Sequence, residues 1–202
     1  MRALIYDATV LPLTSGWYRR VLERLAPGTH LLDVGIGTGG ALARNARTLR
    51  DRDLRVTGVD IDEQYLRRCR GRIRRRGLDD RVDVLLESIY EHRGGPYGAA
   101  YFSASFMLMP APADALRHVC TLLSDGARVF FTQTFQVKRS AVVERAKPLL
   151  RKVTTIEFGE VTYEEDFRLV LDEAGLDVVE VEELSRGPTM SGRLVVGRPR
   201  PR

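Results

Sequence analysis

The stretch Leu31–Gly40, LLDVGIGTGG, constrains the fold most, because a short apolar run passes directly into a turn that contains four glycines. Glycines at this density cost chain entropy and contribute no side-chain packing, so they indicate that something approaches the backbone closely. A strand that leads into a glycine turn and then a helix is typical of doubly wound α/β folds, in which ligands lie beyond the carboxyl ends of the strands.

The rest of the chain continues this alternation of strands and helices. The sequence predicts strands at His30–Val34, Leu54–Asp60, Arg81–Ser88, Tyr97–Ser105, Ala127–Phe135, Leu176–Leu184 and Gly192–Pro199. It predicts helices at Trp17–Leu25, Ala41–Leu49, Glu63–Arg76, Ala113–Leu123, Ser140–Leu150 and Tyr163–Ala174. Alternation of this kind favours a parallel sheet with helices on both faces. The last two strands have no helix between them, so we expect them to be antiparallel.

Length and composition are typical of one globular domain: 202 residues, of which 44% are hydrophobic and 29% charged. We expect an N-terminal lid or helix segment at 1–28, a ligand-binding core at 29–135 and substrate-side helices with the final strand pair at 136–202. The sequence has no apolar run of the ~20 residues that a membrane span needs, and no pattern of a secretory signal. Cys69 and Cys120 form no metal-binding or disulfide motif. These features predict a cytoplasmic protein without a metal site.

Two ligands fit the glycine turn. Gly35, Gly37 and Gly40 match the G-x-G-x-x-G of a dinucleotide site, whereas Asp33 with Gly35, Gly37 and Gly39 matches the D-x-G-x-G-x-G of an S-adenosylmethionine site. Both kinds of site also use an acid at the end of the second strand, where Asp60 stands.

Asp33 favours S-adenosylmethionine, because a carboxylate in this turn would repel a pyrophosphate and attract a sulfonium and an ammonium group. The hydride-transfer hypothesis also lacks its chemistry, since no tyrosine starts a Y-x-x-x-K motif. The three histidines do not form an obvious site with a partner acid.

Five segments resemble, in order and spacing, the motifs of class I S-adenosylmethionine-dependent methyltransferases: LLDVGIGTG, GVDID, YGAAYFSASFMLM, LLSDGARVFF and EEDFRLVLDEAGL. The resemblance extends from about Tyr6 to Val196. It implies a doubly wound, mostly parallel sheet of seven strands whose last strand is antiparallel, in agreement with the ending predicted above. It also implies S-adenosylmethionine as the cofactor and S-adenosylhomocysteine as the product.

The resemblance implies a set of cofactor-binding residues. Asp33 would lie near the methionine amino group, Asp60 would accept from both ribose hydroxyls, and Ile61 would flank the adenine. Where the family usually has an acid facing the adenine amino group, this chain offers Ser88 or Glu87, and we prefer Ser88. The full set is Asp33, Gly35, Gly37, Thr38, Gly39, Asp60, Ile61, Ser88, Ile89 and Ser103.

Methyl transfer is an in-line attack on the sulfonium methyl, which requires positioning and exclusion of water rather than a fixed catalytic triad. The sequence therefore indicates no single general base. The candidates are Ser103 and Ser105 at the mouth of the fourth strand, with Tyr6 and Trp17–Tyr18 as a lid.

The acceptor is the open part of the prediction. The fourth strand lacks the N-P-P-Y, D-P-P-Y and Pro-Cys motifs of base, glutamine and cytosine methylation, and the chain has no added nucleic-acid module. We therefore expect a small molecule methylated on nitrogen, sulfur or oxygen by a monomer or homodimer. The segments YDATVLPL, FMLMPAPADALRHV and QTFQVKRS loosely resemble bacterial phospholipid N-methyltransferases, which is the alternative.

An arginine-rich helix bears on that alternative. Tyr65–Gly77 contains seven arginines, which form either a solvated helix face or a patch for phosphate or for an anionic membrane. Of the 32 basic residues only three are lysines, which favours a general codon bias over a selected surface. An RNA methyltransferase and an NAD-dependent oxidoreductase are the further, less favoured alternatives.

Overall fold

The computed structural model describes residues 11–136 and 162–201. Over these residues the helices are α1 (Leu11–Leu22), α2 (Gly40–Arg44), α3 (Ala46–Asp51), α4 (Glu63–Arg75), α5 (Pro112–Thr121) and α6 (Glu164–Glu173), with a 3₁₀ turn at Phe106–Leu108. The strands are β1 (His30–Val34), β2 (Arg55–Asp60), β3 (Val82–Leu86), β4 (Tyr97–Ser103), β5 (Leu123–Gln136), β6 (Leu176–Arg186) and β7 (Met190–Pro199).

All seven strands form one sheet in the order β3-β2-β1-β4-β5-β7-β6. The pairs from β3 through to β5 are parallel, whereas β7 pairs antiparallel with both β5 and β6. The predicted fold class is therefore confirmed, including the reversed last strand. Because β1 lies between β2 and β4, the carboxyl ends of these three strands meet at one edge of the sheet.

Two hydrophobic clusters cover the two faces of the sheet. One packs α1, α2 and α4 against residues such as Leu31 and Tyr101, and the other packs α5 and α6 against residues such as Leu32 and Phe131. Adjacent residues of β1 thus belong to opposite clusters, as the alternation of side chains along a strand requires. Burial on both faces explains why the central strands β1 and β4 are mostly apolar.

The predicted helix Ala41–Leu49 is wrong as one continuous element, because the chain forms two short helices that meet at Asn45. The Asn45 amide donates to the carbonyl oxygens of Ala41 and Ser15, both at 2.9 Å. An asparagine that bonds to nearby backbone competes with the helix, which accounts for the break. The same amide ties the beginning of α1 to the segment after the glycine turn.

Other boundaries also differ from the prediction. The first described helix ends at Leu22 rather than at Leu25, and β4 ends at Ser103 rather than at Ser105. The SDG sequence at 124–126 lies within β5, whose register against β4 shifts between Tyr97 and Ala99. A strand can absorb turn-forming residues at such an irregularity. The helix predicted at Ser140–Leu150 lies outside the described residues.

Candidate functional site

The glycine turn connects β1 to α2 with a backbone that other residues adopt rarely. Gly35, Gly37 and Gly39 all have a positive φ, of 76°, 57° and 62°. A Cβ at Gly35 would lie 2.7 Å from the Cβ of Ser105, and one at Gly39 would collide with the Sγ of Cys69. At Gly37 the nearest atom would be 4.0 Å away. Gly35 and Gly39 therefore allow close packing within the protein, whereas Gly37 borders open space.

Asp60 joins the end of β2 to this turn. Its Oδ2 accepts from the backbone N–H of Gly37 at 2.8 Å, and its Oδ1 accepts from that of Asp62 at 2.9 Å. Asp60 is half-buried. An ionised carboxylate has about four acceptor positions, so these two bonds leave capacity for further donors.

Asp33 lies at the carboxyl end of β1 and is fully buried. Its Oδ2 accepts from the Tyr18 hydroxyl at 2.9 Å, while its Oδ1 is buried and has no hydrogen-bond partner among the described residues. Burial raises the pKa of Asp33 from 3.8 to about 7; the bond from Tyr18 opposes this rise and the charge of Asp60 adds to it. A buried acceptor without a donor is costly, so Oδ1 is suited to a donor that arrives with a ligand.

Thr38 is held by the arginine-rich helix α4. Arg72 donates through Nη1 to the Thr38 carbonyl oxygen at 3.1 Å and also to the Thr38 Oγ1. Thr38 is buried, with 8% of its surface exposed. At least one of the seven arginines therefore supports the glycine turn rather than a surface partner.

Beyond β2 and β3, the candidates for the adenine side differ in exposure. Ile61 is 78% exposed at the edge of the sheet, whereas Ile89 is buried in the core. The carboxylate of Glu87 pairs with the Nδ1 of the buried His92. Ser88 is half-buried, and its Oγ accepts only a long bond of 3.4 Å from the Tyr90 N–H. The pairing of Glu87 favours Ser88 as the group that remains available to a ligand.

The four predicted catalytic candidates occupy different environments. Tyr18 is buried, and burial together with Asp33 raises the pKa of Tyr18 well above its ordinary value, so it is poorly suited to act as a base. The Ser105 hydroxyl donates to the Val34 carbonyl oxygen at 2.5 Å. Ser103 is half-buried at the end of β4. Tyr6 lies outside the described residues.

The predicted lid is packed into the molecule at both of its described residues. Trp17 is 5% exposed and Tyr18 is 3% exposed. The Tyr18 ring lies edge-on to the Tyr101 ring at 4.8 Å. Neither residue forms an exposed flap, because α1 packs against the same face of the sheet as α2 and α4.

The turn at Ala104, directly after β4, shapes the site and was not predicted from the sequence. Ala104 has a φ of 55°, rare for a residue with a side chain, and its N–H donates to the Thr132 carbonyl oxygen at 2.8 Å. This conformation ends β4 and brings Ser105 onto the glycine turn. Strained backbone of this kind often accompanies functional sites. A serine or an alanine after an apolar run gives no signal of such a turn.

Clusters of metal-ligating side chains and membrane-spanning helices are both absent from the part of the chain that the structure describes. Among residues 11–136 and 162–201, no group of three or more His, Cys, Asp or Glu side chains is arranged to hold a metal ion. In the same residues, no helix has both the length and the apolar character needed to cross a membrane.

Comparison with known proteins agrees with this geometry. Residues 31–126 match a family model described as a methyltransferase domain. Of the similar solved structures, an S-adenosylmethionine-dependent methyltransferase from Aquifex aeolicus has a TM-score of 0.67 at 19% identity, over 88% of each chain. The predicted resemblance to class I S-adenosylmethionine-dependent methyltransferases is confirmed: residues 31–126 match a methyltransferase domain, and the fold is similar to that of a solved S-adenosylmethionine-dependent methyltransferase.

Curated relatives extend the similarity along the sequence. The 27-O-demethylrifamycin SV methyltransferase of Amycolatopsis mediterranei is 28% identical over 181 residues, which are 83% of this chain and 63% of the relative. A probable fatty acid methyltransferase of Pseudomonas putida is 29% identical over 180 residues, which are 80% of this chain and 41% of the relative. The chain thus spans less than two thirds of the length of either relative.

Another similar structure shows that this fold does not determine the reaction. The [4+2]-cyclase SpnF has a TM-score of 0.72 at 20% identity and covers 92% of this chain and 81% of its own. Because one fold hosts different chemistries, the activity has to be argued from the site.

Proposed function

We propose that this chain is a methyltransferase that transfers the methyl group of S-adenosylmethionine to nitrogen, sulfur or oxygen of a small molecule. The observation that carries the proposal is the buried Oδ1 of Asp33, which lies beside a glycine turn and has no partner within residues 11–136 and 162–201. A positively charged ammonium would complete its hydrogen bonding, whereas a pyrophosphate would be repelled.

Residues at this edge of the sheet have the chemistry to hold the ammonium, the ribose and the adenine of this cofactor. The ammonium would bind Asp33, the open space at Gly37 would admit the body of the ligand, and the ribose hydroxyls would donate to Asp60. The exposed apolar side chain of Ile61 would lie on the adenine, with Ser88 near its edge. Five further predicted residues would support these contacts, since each is buried or half-buried in the protein: Gly35, Thr38, Gly39, Ile89 and Ser103.

When bound, S-adenosylmethionine supplies an electrophilic methyl group. The chain's own residues then orient the acceptor for in-line attack and exclude water, which together lower the barrier. Ser103 and Ser105 lie at the end of β4, where they could orient an acceptor, and Tyr6 stays a prediction. No residue of the described chain has to form a covalent bond with the acceptor.

The relatives support a small acceptor, since one has 27-O-demethylrifamycin SV in its name and another a fatty acid. Neither supports the phospholipid alternative. A peripheral contact with an anionic membrane, the state of monomer or homodimer, and a cytoplasmic location remain predictions.

Thermal unfolding with different ligands tests the proposal. We expect S-adenosylmethionine and S-adenosylhomocysteine to raise the melting temperature and NAD to leave it unchanged, because a ligand that binds the folded state stabilises it. Release of S-adenosylhomocysteine should then be screened over amines, thiols, phenols, alcohols and lipids. Stabilisation by NAD alone would refute the proposal, and cofactor binding without turnover on any acceptor would contradict methyl transfer.

Asp60→Ala tests the assignment of the site. We expect the variant to fold and to bind S-adenosylhomocysteine at least about tenfold more weakly in calorimetry, a loss of about 1.4 kcal/mol. The matched control is Asp62→Ala, two residues away, which removes the cap of α4 at Gln64 and Tyr65. That control should lose about 1 kcal/mol of stability but keep its affinity. Equal affinity in wild type and Asp60→Ala would remove Asp60 from the site.

A further inference from the structure

Tyr18 connects α1 to the glycine turn through Asp33. Its hydroxyl donates to Oδ2, so this oxygen is occupied and the carboxylate cannot rotate freely. The other oxygen, Oδ1, is left as the acceptor at the turn. Just beyond the end of α1, Arg24 pairs with Glu180 and Glu182 of β6, which fixes the helix to the sheet at a second point.

We propose that Tyr18 is a positioning residue that holds one oxygen of Asp33 so that the other receives the cofactor ammonium, and that this bond couples the packing of α1 to cofactor loading. The inference rests on the proposed function. It moves Tyr18 from the group of catalytic candidates to a residue that acts through Asp33.

The electrostatic surroundings give the coupling its direction. The titratable groups that face Asp33 are Tyr18 from α1, Tyr101 from β4, Cys69 from α4 and Asp60 from β2. Burial is the main cause that raises the pKa values of Tyr18 and Tyr101, and the charge of Asp33 raises both further. Both hydroxyls therefore stay protonated near neutral pH. Burial also raises the pKa of Cys69 to about 12, so its thiol stays neutral.

Burial raises the pKa of Asp33 to about 7, so the charge of Asp33 itself changes near neutral pH. An ammonium at Oδ1 favours the ionised carboxylate, so binding below this pH must release a proton. The Tyr18 bond becomes charge-assisted when Asp33 ionises, and such bonds are shorter and stronger than neutral ones. Cofactor binding should thus tighten the attachment of α1.

Tyr18→Phe removes the hydroxyl and keeps the ring. The matched control is Tyr101→Phe, which removes a buried tyrosine hydroxyl from the same face but from Thr132 rather than from Asp33. The affinity of each protein for S-adenosylhomocysteine is measured by calorimetry from about pH 5.5 to about pH 8, a range that brackets the expected ionisation of Asp33.

We expect the wild-type affinity to fall as the pH is lowered through the Asp33 pKa. In Tyr18→Phe that fall should begin about one pH unit higher, which at about pH 7 weakens binding up to about tenfold. The difference should narrow at higher pH, and Tyr101→Phe should follow the wild-type profile. An equal loss at every pH, or an unchanged profile, would overturn the proposed role of Tyr18.

Hydrogen exchange provides a readout that does not depend on the folding of Tyr18→Phe. S-adenosylhomocysteine at saturating concentration should slow amide exchange in α1 of the wild type. Unchanged exchange in α1 of the loaded wild type would overturn the coupling. A wild type that binds no S-adenosylhomocysteine at any pH would instead refute the proposed function, and with it the basis of this inference.

Discussion

At the scale of single residues, Gly35, Gly37 and Gly39 are required in the turn for different physical reasons. Gly35 and Gly39 lack side chains because Ser105 and Cys69 occupy the space, whereas a Cβ at Gly37 would lie 4.0 Å from its nearest protein atom. Gly37 also donates its N–H to Asp60. The glycine that touches least of the protein is therefore the one with most room for a ligand.

Gly37→Ala tests this difference against Gly126→Ala. Both positions have a positive φ, of 57° and 76°, and neither Cβ would clash. Each variant should lose about 1–2 kcal/mol of stability from the left-handed backbone alone, measured by urea unfolding. Only Gly37→Ala should also lose affinity for S-adenosylhomocysteine in calorimetry, because its methyl group enters the proposed cofactor space.

The opposite pattern would count against that assignment. If Gly37→Ala and Gly126→Ala bind the cofactor product equally well, the space at Gly37 is not used.

The sequence predicted that these glycines permit a close approach, and Asp33 predicted the charge of the ligand. The sequence did not predict which glycines pack against the protein, since this packing depends on Ser105 and Cys69, which are distant in sequence.

At the scale of elements, the sequence predicted the limits of some elements and missed those of others. The strand His30–Val34 was predicted at its observed limits, because its apolar run is bounded by a turn on each side. The helix after the glycine turn was predicted as one element and is two, because Asn45 bonds to α1. Long-range contacts of this kind leave no periodic signal in the local sequence.

The arginine-rich helix α4 also has contacts that its local sequence does not predict. Its charge run predicted a surface, yet Arg72 supports Thr38, and Arg70 donates to the Val84 carbonyl oxygen at 3.0 Å. Arg68, Arg74, Arg75 and Arg76 are exposed. The helix therefore has arginines that bond to the domain beside others that face outward.

Arg72→Met should separate the two kinds of arginine. It removes charge-assisted bonds to the Thr38 carbonyl oxygen and hydroxyl while keeping much of the apolar stem. We expect a loss of about 1–2 kcal/mol in urea unfolding and weaker cofactor binding, because Thr38 belongs to the turn. The control Arg75→Met, on the exposed side, should change stability by less than about 0.5 kcal/mol. Equal effects of the two substitutions would show that the bonds to Thr38 contribute little.

At the scale of the whole molecule, the strand order places chemistry that the sequence scatters. Asp33, Asp60 and Ser103 are far apart along the chain, and they lie at the same edge of the sheet because β2, β1 and β4 are neighbours. The alternation of elements predicted this parallel sheet, and the short last connection predicted the reversed strand. The cost of this arrangement is a carboxylate in the interior, which affects the stability of the entire domain.

The pH dependence of the free energy of unfolding should reveal that cost. Burial raises the pKa of Asp33 from 3.8 to about 7, so the folded state keeps a proton that the unfolded chain has released between these values. Stability without cofactor should therefore fall as pH rises from about 4 to about 7, by at most about 1.4 kcal/mol per pH unit for one proton. Above this window both states are ionised and the full penalty remains.

Asp33→Asn removes the titration of this residue. Near pH 8 the substitution should stabilise the ligand-free protein by a few kcal/mol, on the order of the shift in pKa. It should also abolish the affinity for the cofactor. The control Asp79→Asn changes an exposed carboxylate and should follow the wild-type curve. Urea unfolding of the three proteins at several pH values measures the difference. Parallel curves for wild type and Asp33→Asn would contradict a buried, proton-retaining Asp33. A variant that is more stable but cannot bind would show that the domain retains this acid for its ligand and at the expense of its own stability.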